Sequence, residues 1–123
     1  MKKFKILIPV YNDWESFCKL LNDINNIVAS IKNSDFSCVI INDASTVKIP
    51  KIKTPSNISS LELINMKKNK GHARCIAFGV KYLAKKNDFD YLIVMDGDGE
   101  DRPEELKMLV KKIFTDPNIS VVA

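Results

Sequence analysis

Three short apolar runs, at residues 4–10, 38–41 and 91–95, stand out from an otherwise mixed chain, and each is bounded by polar turn residues. Continuous runs of this kind are typical of strands buried on both faces of a parallel sheet. Between them the apolar residues change period. Trp14, Phe17, Cys18, Leu21, Ile24, Val28 and Ile31 recur at steps of three and four, which predicts a first helix with Asn12 and Glu15 spaced as a capping pair. Ala73, Ile76, Ala77, Val80, Leu83 and Ala84 predict a second helix after Gly71, and Leu106, Leu109, Val110, Ile113 and Phe114 a third after Pro103. A further strand is expected over residues 61–65, after a polar linker at 47–60 whose two prolines argue for a loop without a helix. Residues 119–123 begin one more apolar strand, so the domain reads as truncated.

Strand, helix, strand, strand, helix, strand, helix, strand is the order of an α/β domain with a mainly parallel twisted sheet flanked by helices. In such sheets ligands sit at the carboxyl ends of the strands, where the strand order reverses. The residues that follow each strand are therefore the ones to read for chemistry.

Composition narrows the choice. With 46% hydrophobic and 28% charged residues, the 123-residue chain reads as one soluble globular domain with a modest core. A net charge of +4 spread over scattered lysines is too weak a signature for nucleic acid. No apolar run approaches the roughly 20 residues needed to cross a bilayer. The N-terminus imitates a secretory leader, but its apolar stretch stops at Asn12-Asp13 with no small-residue cleavage site, so it reads as a strand. Cys18, Cys38 and Cys75 form no C-x-x-C pattern and no even set, which points to packing as small apolar groups and to a cytoplasmic setting.

Three strand ends carry the candidate chemistry: Val10-Tyr11-Asn12-Asp13, Asn42-Asp43-Ala44-Ser45, and the segment from Asp96 to Pro103. In the last, Asp96, Asp98, Glu100 and Asp101 place four acids within six residues. Such a cluster repels itself unless it is solvated or neutralised by a cation. A spacing of two in an extended segment turns Asp96 and Asp98 to one side, and two carboxylates suit Mg²⁺ or Mn²⁺ with positions left for diphosphate oxygens. Asp101 and Glu100 are equally consistent with a solvated cap on the third helix. An EF-hand is excluded, because Asp101 and Lys107 stand where that loop needs Gly and Glu. Glycine-rich dinucleotide and P-loop fingerprints are missing. Tyr11 is placed to lie against a base and Asp43 to accept a base N–H, which outlines a nucleotide pocket.

In this order ILIPVYND, INDAS, NKGHARCIAFGV and VMDGDGEDRPEEL resemble the N-terminal, donor-binding half of glycosyltransferase family 2, of GT-A (Rossmann-like) fold, across nearly all of residues 1–123. The Gly-His pair and DGDGEDRP look most similar to polyprenyl-phosphate sugar synthase-like members. The resemblance implies an inverting, metal-dependent transferase of sugars from UDP- or GDP-linked donors. It places Val10 and Tyr11 at the uridine or guanosine, Asp43 at the base, Asn69, Gly71 and Arg74 in the loop and helix start beside the nucleotide, Asp96 near ribose and metal, and Asp98 on the metal. It also implies that the catalytic base lies in a C-terminal half with no counterpart here, so that these residues bind donor without transferring it. Ala44-Ser45 departs from the Gly or Ser common after the base-reading acid, and Asn42 stands upstream of Asp43.

A sugar nucleotidyltransferase lacks support because its Gly- and Arg-rich N-terminal loop is missing, and a receiver domain needs a fifth-strand lysine not found here. A non-catalytic nucleotide-sugar-binding or regulatory module remains an alternative. His72, the lone histidine, reads as exposed rather than phosphate-facing, while Lys70 and Arg74 are open between phosphate contact and solvation. Lys2, Lys3, Lys5, Lys67 and Lys68 suit peripheral contact with an anionic membrane holding a lipid-linked acceptor, a glycan acceptor being the other option, although solubility explains them as well. An exposed edge strand would favour homo-oligomers.

Overall fold

A computed structural model describes residues 1–97 and 103–115. Its four strands are β1 (Lys2–Val10), β2 (Ser34–Asn42), β3 (Ser60–Asn65) and β4 (Tyr91–Val94), and its helices α1 (Trp14–Val28), α2 (His72–Lys86) and α3 (Pro103–Thr115). All strand pairs are parallel, in the order β3-β2-β1-β4. The chain steps outward from β1 to β2 and β3, then α2 carries it back to the far side of β1, so the order reverses there.

Strand alternation assigns the two faces. Phe4, Ile6, Ile8 and Val10 of β1, Phe36, Cys38 and Ile40 of β2 and Ile93 of β4 form one core with α1 and α3. Leu7, Val39 and Ile41 face the other way and pack with Cys75 and Leu83 of α2. Helices thus cover both faces, which is why the central strands read as unbroken apolar runs. The link from β2 to β3 has no helix, as expected. Ile58 is buried there instead, and Asn25 Oδ1 accepts the Asn57 N–H at 2.8 Å.

Several expected faces are corrected. Cys18 is exposed and Leu20 buried in its place, because the α1 stripe runs through Phe17, Leu20, Leu21, Ile24 and Val28. Ile31 falls beyond the helix and packs only partly against the core. On α2 the buried line is Cys75, Gly79 and Leu83, whereas Ala73, Ala77 and Val80 are exposed. A Cβ on Gly79 would come within 2.6 Å of Leu7 Cδ1, so the helix meets the sheet through its smallest residue. On α3 Leu106, Val110 and Ile113 are buried but Phe114 is exposed. Asp13, not Asn12, caps α1, its carboxylate accepting the Ser16 N–H at 3.2 Å.

The expected residues Asp98, Glu100, Asp101 and Arg102 and the expected strand at 119–123 lie outside the described residues. Among the described residues no helix is long and apolar enough to cross a membrane.

Candidate functional site

β1 and β2 finish level, with Val10 opposite Asn42, and β4 follows β1 with Val94 opposite Leu7. Their carboxyl ends and the start of α2 enclose a cleft of about 310 Å³ lined by Pro9, Val10, Tyr11, Asp13, Asp43, His72, Asp96 and Gly97. This is the crevice where a reversing parallel sheet takes its ligands.

Asp43 organises the cleft. Only 4% exposed, it accepts the Lys70 N–H on Oδ1 at 2.7 Å and the Gly71 N–H on Oδ2 at 3.0 Å. Asn69 Nδ2 donates to its carbonyl at 3.3 Å, and its own N–H donates to the Val10 carbonyl at 2.9 Å. One buried carboxylate therefore ties the end of β2 to the loop that starts α2, in charge-assisted bonds that satisfy backbone donors no helix turn can reach. Burial first, and then the neighbouring Asp43 carboxylate, push the Cys75 thiol up to about 12.

Gly71 caps α2 without a side chain, at φ 88° and ψ 159°, a conformation close to glycine-only. The Cys75 N–H donates to its carbonyl at 3.1 Å. This turn delivers His72 to the cleft, with Nε2 3.5 Å from Asp96 Oδ2 and side chains 51% and 32% exposed. Beside them Gly97 is buried, and a Cβ there would lie 3.2 Å from the Pro9 carbonyl oxygen and 3.1 Å from Val10 Cγ2. The turn after β4 thus lies directly against β1.

Asn12 serves a different purpose from the expected cap. It takes a left-handed φ of 62°, and its side-chain oxygen accepts the Thr46 N–H at 2.7 Å. Its own N–H donates to Ser45 Oγ at 2.9 Å, and Trp14 Nε1 donates to the same oxygen at 3.2 Å. The first two strand-end turns are stitched together in this way. Ala44 also sits at positive φ, 57°, the position where the sequence departs from the Gly or Ser of the motif it resembles.

Of the residues singled out in the sequence, Val10, Tyr11, Asp43 and Asp96 line the cleft, with Tyr11 47% exposed. Asn69 and Gly71 stand behind it, holding or held by Asp43, and Arg74 is exposed on α2 outside the lining. Asp13 and His72 line it too, the first named in the sequence within its strand-end turn but given no role, the second expected to face solvent. Their adjacency to the first strand-end turn and to the loop glycine is the signal by which both could have been assigned to the cleft. Lys5 is largely buried and pairs with Asp88 at 3.7 Å, while Lys2 lies over the Tyr91 ring at 5.5 Å. Those two lysines are occupied within the fold.

Among the described residues no group of three or more His, Cys, Asp or Glu side chains is placed to hold a metal ion. Mg²⁺-type ions commonly take one or two carboxylates and complete their shell with water and substrate phosphate. The Asp96 carboxylate, open to the cleft beside an imidazole, fits such a partial donor set.

Glycosyl transferase family 2 matches residues 5–123. An uncharacterised protein of Methanocaldococcus jannaschii is 29% identical over 110 residues, covering 87% of this chain and 45% of its own. An undecaprenyl-phosphate 4-deoxy-4-formamido-L-arabinose transferase of Klebsiella pneumoniae is 26% identical, covering 91% of this chain and 34% of its own. A dolichol-phosphate mannosyltransferase of Pyrococcus furiosus is 25% identical, covering 97% and 32%. The chain spans less than half the length of these relatives.

Proposed function

We propose, from the premise that the chain belongs to glycosyl transferase family 2, that its cleft binds the nucleoside diphosphate of an activated sugar, UDP- or GDP-linked, for inverting transfer to an acceptor. The observation that carries this reading is the convergence of Tyr11, Asp43, His72 and Asp96 from three strand ends and one helix start around a single cleft.

Tyr11, exposed in the cleft lining next to Val10, would supply an aromatic ring for the base. Asp43 spends one lone pair of each carboxylate oxygen on the Lys70 and Gly71 N–H groups, which leaves acceptor capacity for a base N–H. The start of α2 brings unsatisfied backbone N–H groups and the positive end of a helix dipole to the same side, favourable for phosphate. Asp96, with Asp98, would hold a divalent cation, Mg²⁺ or Mn²⁺. When bound, that cation supplies neutralisation of the charge that develops on the departing diphosphate. These residues bind and orient the donor; the acceptor, lipid-linked or a glycan, and any base that would activate it are assigned to none of them. The names of two relatives, both polyprenyl-phosphate sugar transferases, support a lipid-phosphate acceptor.

Calorimetric titration with UDP and GDP, with and without Mn²⁺, on wild type and Asp98→Ala tests this. Metal-dependent binding that the substitution abolishes is expected. Equal affinity in both proteins would remove the metal assignment, and no binding of either nucleotide would remove the reading itself.

A further inference from the structure

His72 is the one histidine of the chain, and its position is built rather than incidental. Asp43 fixes the Lys70 and Gly71 N–H groups, Gly71 takes the positive φ that starts α2, and the next residue places an imidazole at the cleft. On the opposite wall, Gly97 packs against Pro9 and Val10 and so fixes the backbone beside Asp96. Nε2 and Oδ2 meet at 3.5 Å.

As an ion pair this contact explains little, because both side chains are substantially exposed and solvent screens such pairs. As a pair of donors it explains more. Two ligands each roughly 2.1 Å from a common ion lie at most about 4.2 Å apart, so Nε2 and Oδ2 can share one without moving their backbones. An imidazole nitrogen also changes which ion is preferred. Mg²⁺ takes oxygen ligands, whereas first-row transition ions accept mixed nitrogen and oxygen sets.

We infer that His72 Nε2 is a direct ligand of the cation held at Asp96, and that the site therefore selects a first-row transition ion over Mg²⁺. The inference rests on the proposed donor site and adds to it a ligand from α2. It links the loop held by Asp43 to the metal: a shift of Lys70 and Gly71 would displace a ligand as well as a backbone.

The test uses the chain without a histidine tag, in nitrogen-free buffer, with Mn²⁺ and inorganic pyrophosphate as a nitrogen-free stand-in for the donor. His72 is then the sole imidazole in the sample. Pulsed electron paramagnetic resonance of bound Mn²⁺ should show the modulation of a directly coordinated ¹⁴N. That signal should vanish in His72→Ala and in His72→Gln, with Mn²⁺ affinity falling about tenfold or more and Mg²⁺ affinity unchanged. Bound Mn²⁺ without nitrogen modulation, or equal Mn²⁺ affinity in wild type and both variants, would overturn the inference and leave the donor site standing. Failure of wild type to bind Mn²⁺ with pyrophosphate or with either nucleotide would overturn the donor site and the inference with it.

Discussion

The Gly71 N–H donates to Asp43 Oδ2 at 3.0 Å while the Lys70 N–H takes the other oxygen, so a carboxylate at the end of β2 sets the first turn of α2. Replacing it separates stability from binding only in degree, since both depend on the same bonds. Asp43→Ala should cost about 3 kcal/mol, the loss of two hydrogen bonds to a buried charged group, read as a lowered midpoint in urea. Nucleotide affinity should fall beyond detection. Asp43→Asn keeps one acceptor oxygen and should retain the fold with a smaller loss.

Gly71→Ala isolates the backbone. No atom lies within 4 Å of a Cβ built there, so any cost comes from φ 88° alone, about 1–3 kcal/mol for a residue held in that region. Relief of the strain would turn α2's first residue away from the cleft. Thermal denaturation should show the loss, and nucleotide titration should weaken in parallel. Unchanged stability would mean that the turn adopts another conformation in solution.

Gly79 and Gly97 give a contrasting pair. A Cβ on Gly79 runs into the buried Leu7 side chain at Cδ1, Cδ2 and Cγ, so Gly79→Ala should cost about 1–3 kcal/mol by overpacking and leave nucleotide affinity intact. A Cβ on Gly97 meets the Pro9 carbonyl, a backbone atom that cannot rotate aside, so Gly97→Ala should shift the turn that holds Asp96 by a few tenths of an ångström from β1. Nucleotide affinity should drop with little change in unfolding midpoint.

The three thiols should behave differently. Burial raises Cys38 to about 12, with Lys5 opposing in part, and burial with Asp43 raises Cys75 to about 12, while Cys18 is exposed. At pH 8 the native protein should react with one equivalent of a thiol reagent, and the denatured protein with three. In the unfolded chain the buried pair would ionise near an ordinary 9.0, so their stabilising contribution is complete below that value and is lost as pH rises through about 12. Denaturant midpoints should therefore fall steadily on the alkaline side, less so in Cys38→Ala once its cavity cost at pH 7 is subtracted.

At the opposite end, Glu62 accepts hydrogen bonds from the Tyr82 hydroxyl and, at 3.2 Å, from Lys86 Nζ, and the tyrosine bond above all holds its carboxyl below the usual range. A depressed folded value stabilises above the unfolded one and is lost as pH falls through it. Stability should decline on acidification with a component that Glu62→Gln removes. The effect should be modest, because the pair is partly exposed to solvent.

Strands buried on both faces were legible because nearly every residue of their runs is apolar, Lys5 with its partner Asp88 being an exception, and that signal survives without knowledge of neighbours. Helix faces were less so. On α2 the packing surface centres on Gly79, which no hydrophobic count rewards, so the apolar pattern found Leu83 but took Ile76 in place of its buried neighbour Cys75. Cys18 belonged to the α1 stripe by spacing but stands at its edge, where Leu20 wins the interior. Asn12 and Asp13 both suit a cap, and only the approach of Ser45 and Thr46 draws Asn12 across the turn. Strand-end polar residues could be listed from order alone. That Asp43 clamps residues 27 and 28 positions away, and that His72 meets Asp96, depends on α2 folding back over β1.

The most direct measurement is a ¹H–¹⁵N correlation spectrum of the labelled chain titrated with UDP or GDP in the presence of Mg²⁺. Amides of Tyr11, Asp43, Lys70, Gly71 and Gly97 should shift on binding, while those of Leu61 and Leu63 on β3 stay in place. Shifts confined to β3 and the outer face of α2, or none with either nucleotide, would contradict nucleotide binding at the three strand ends.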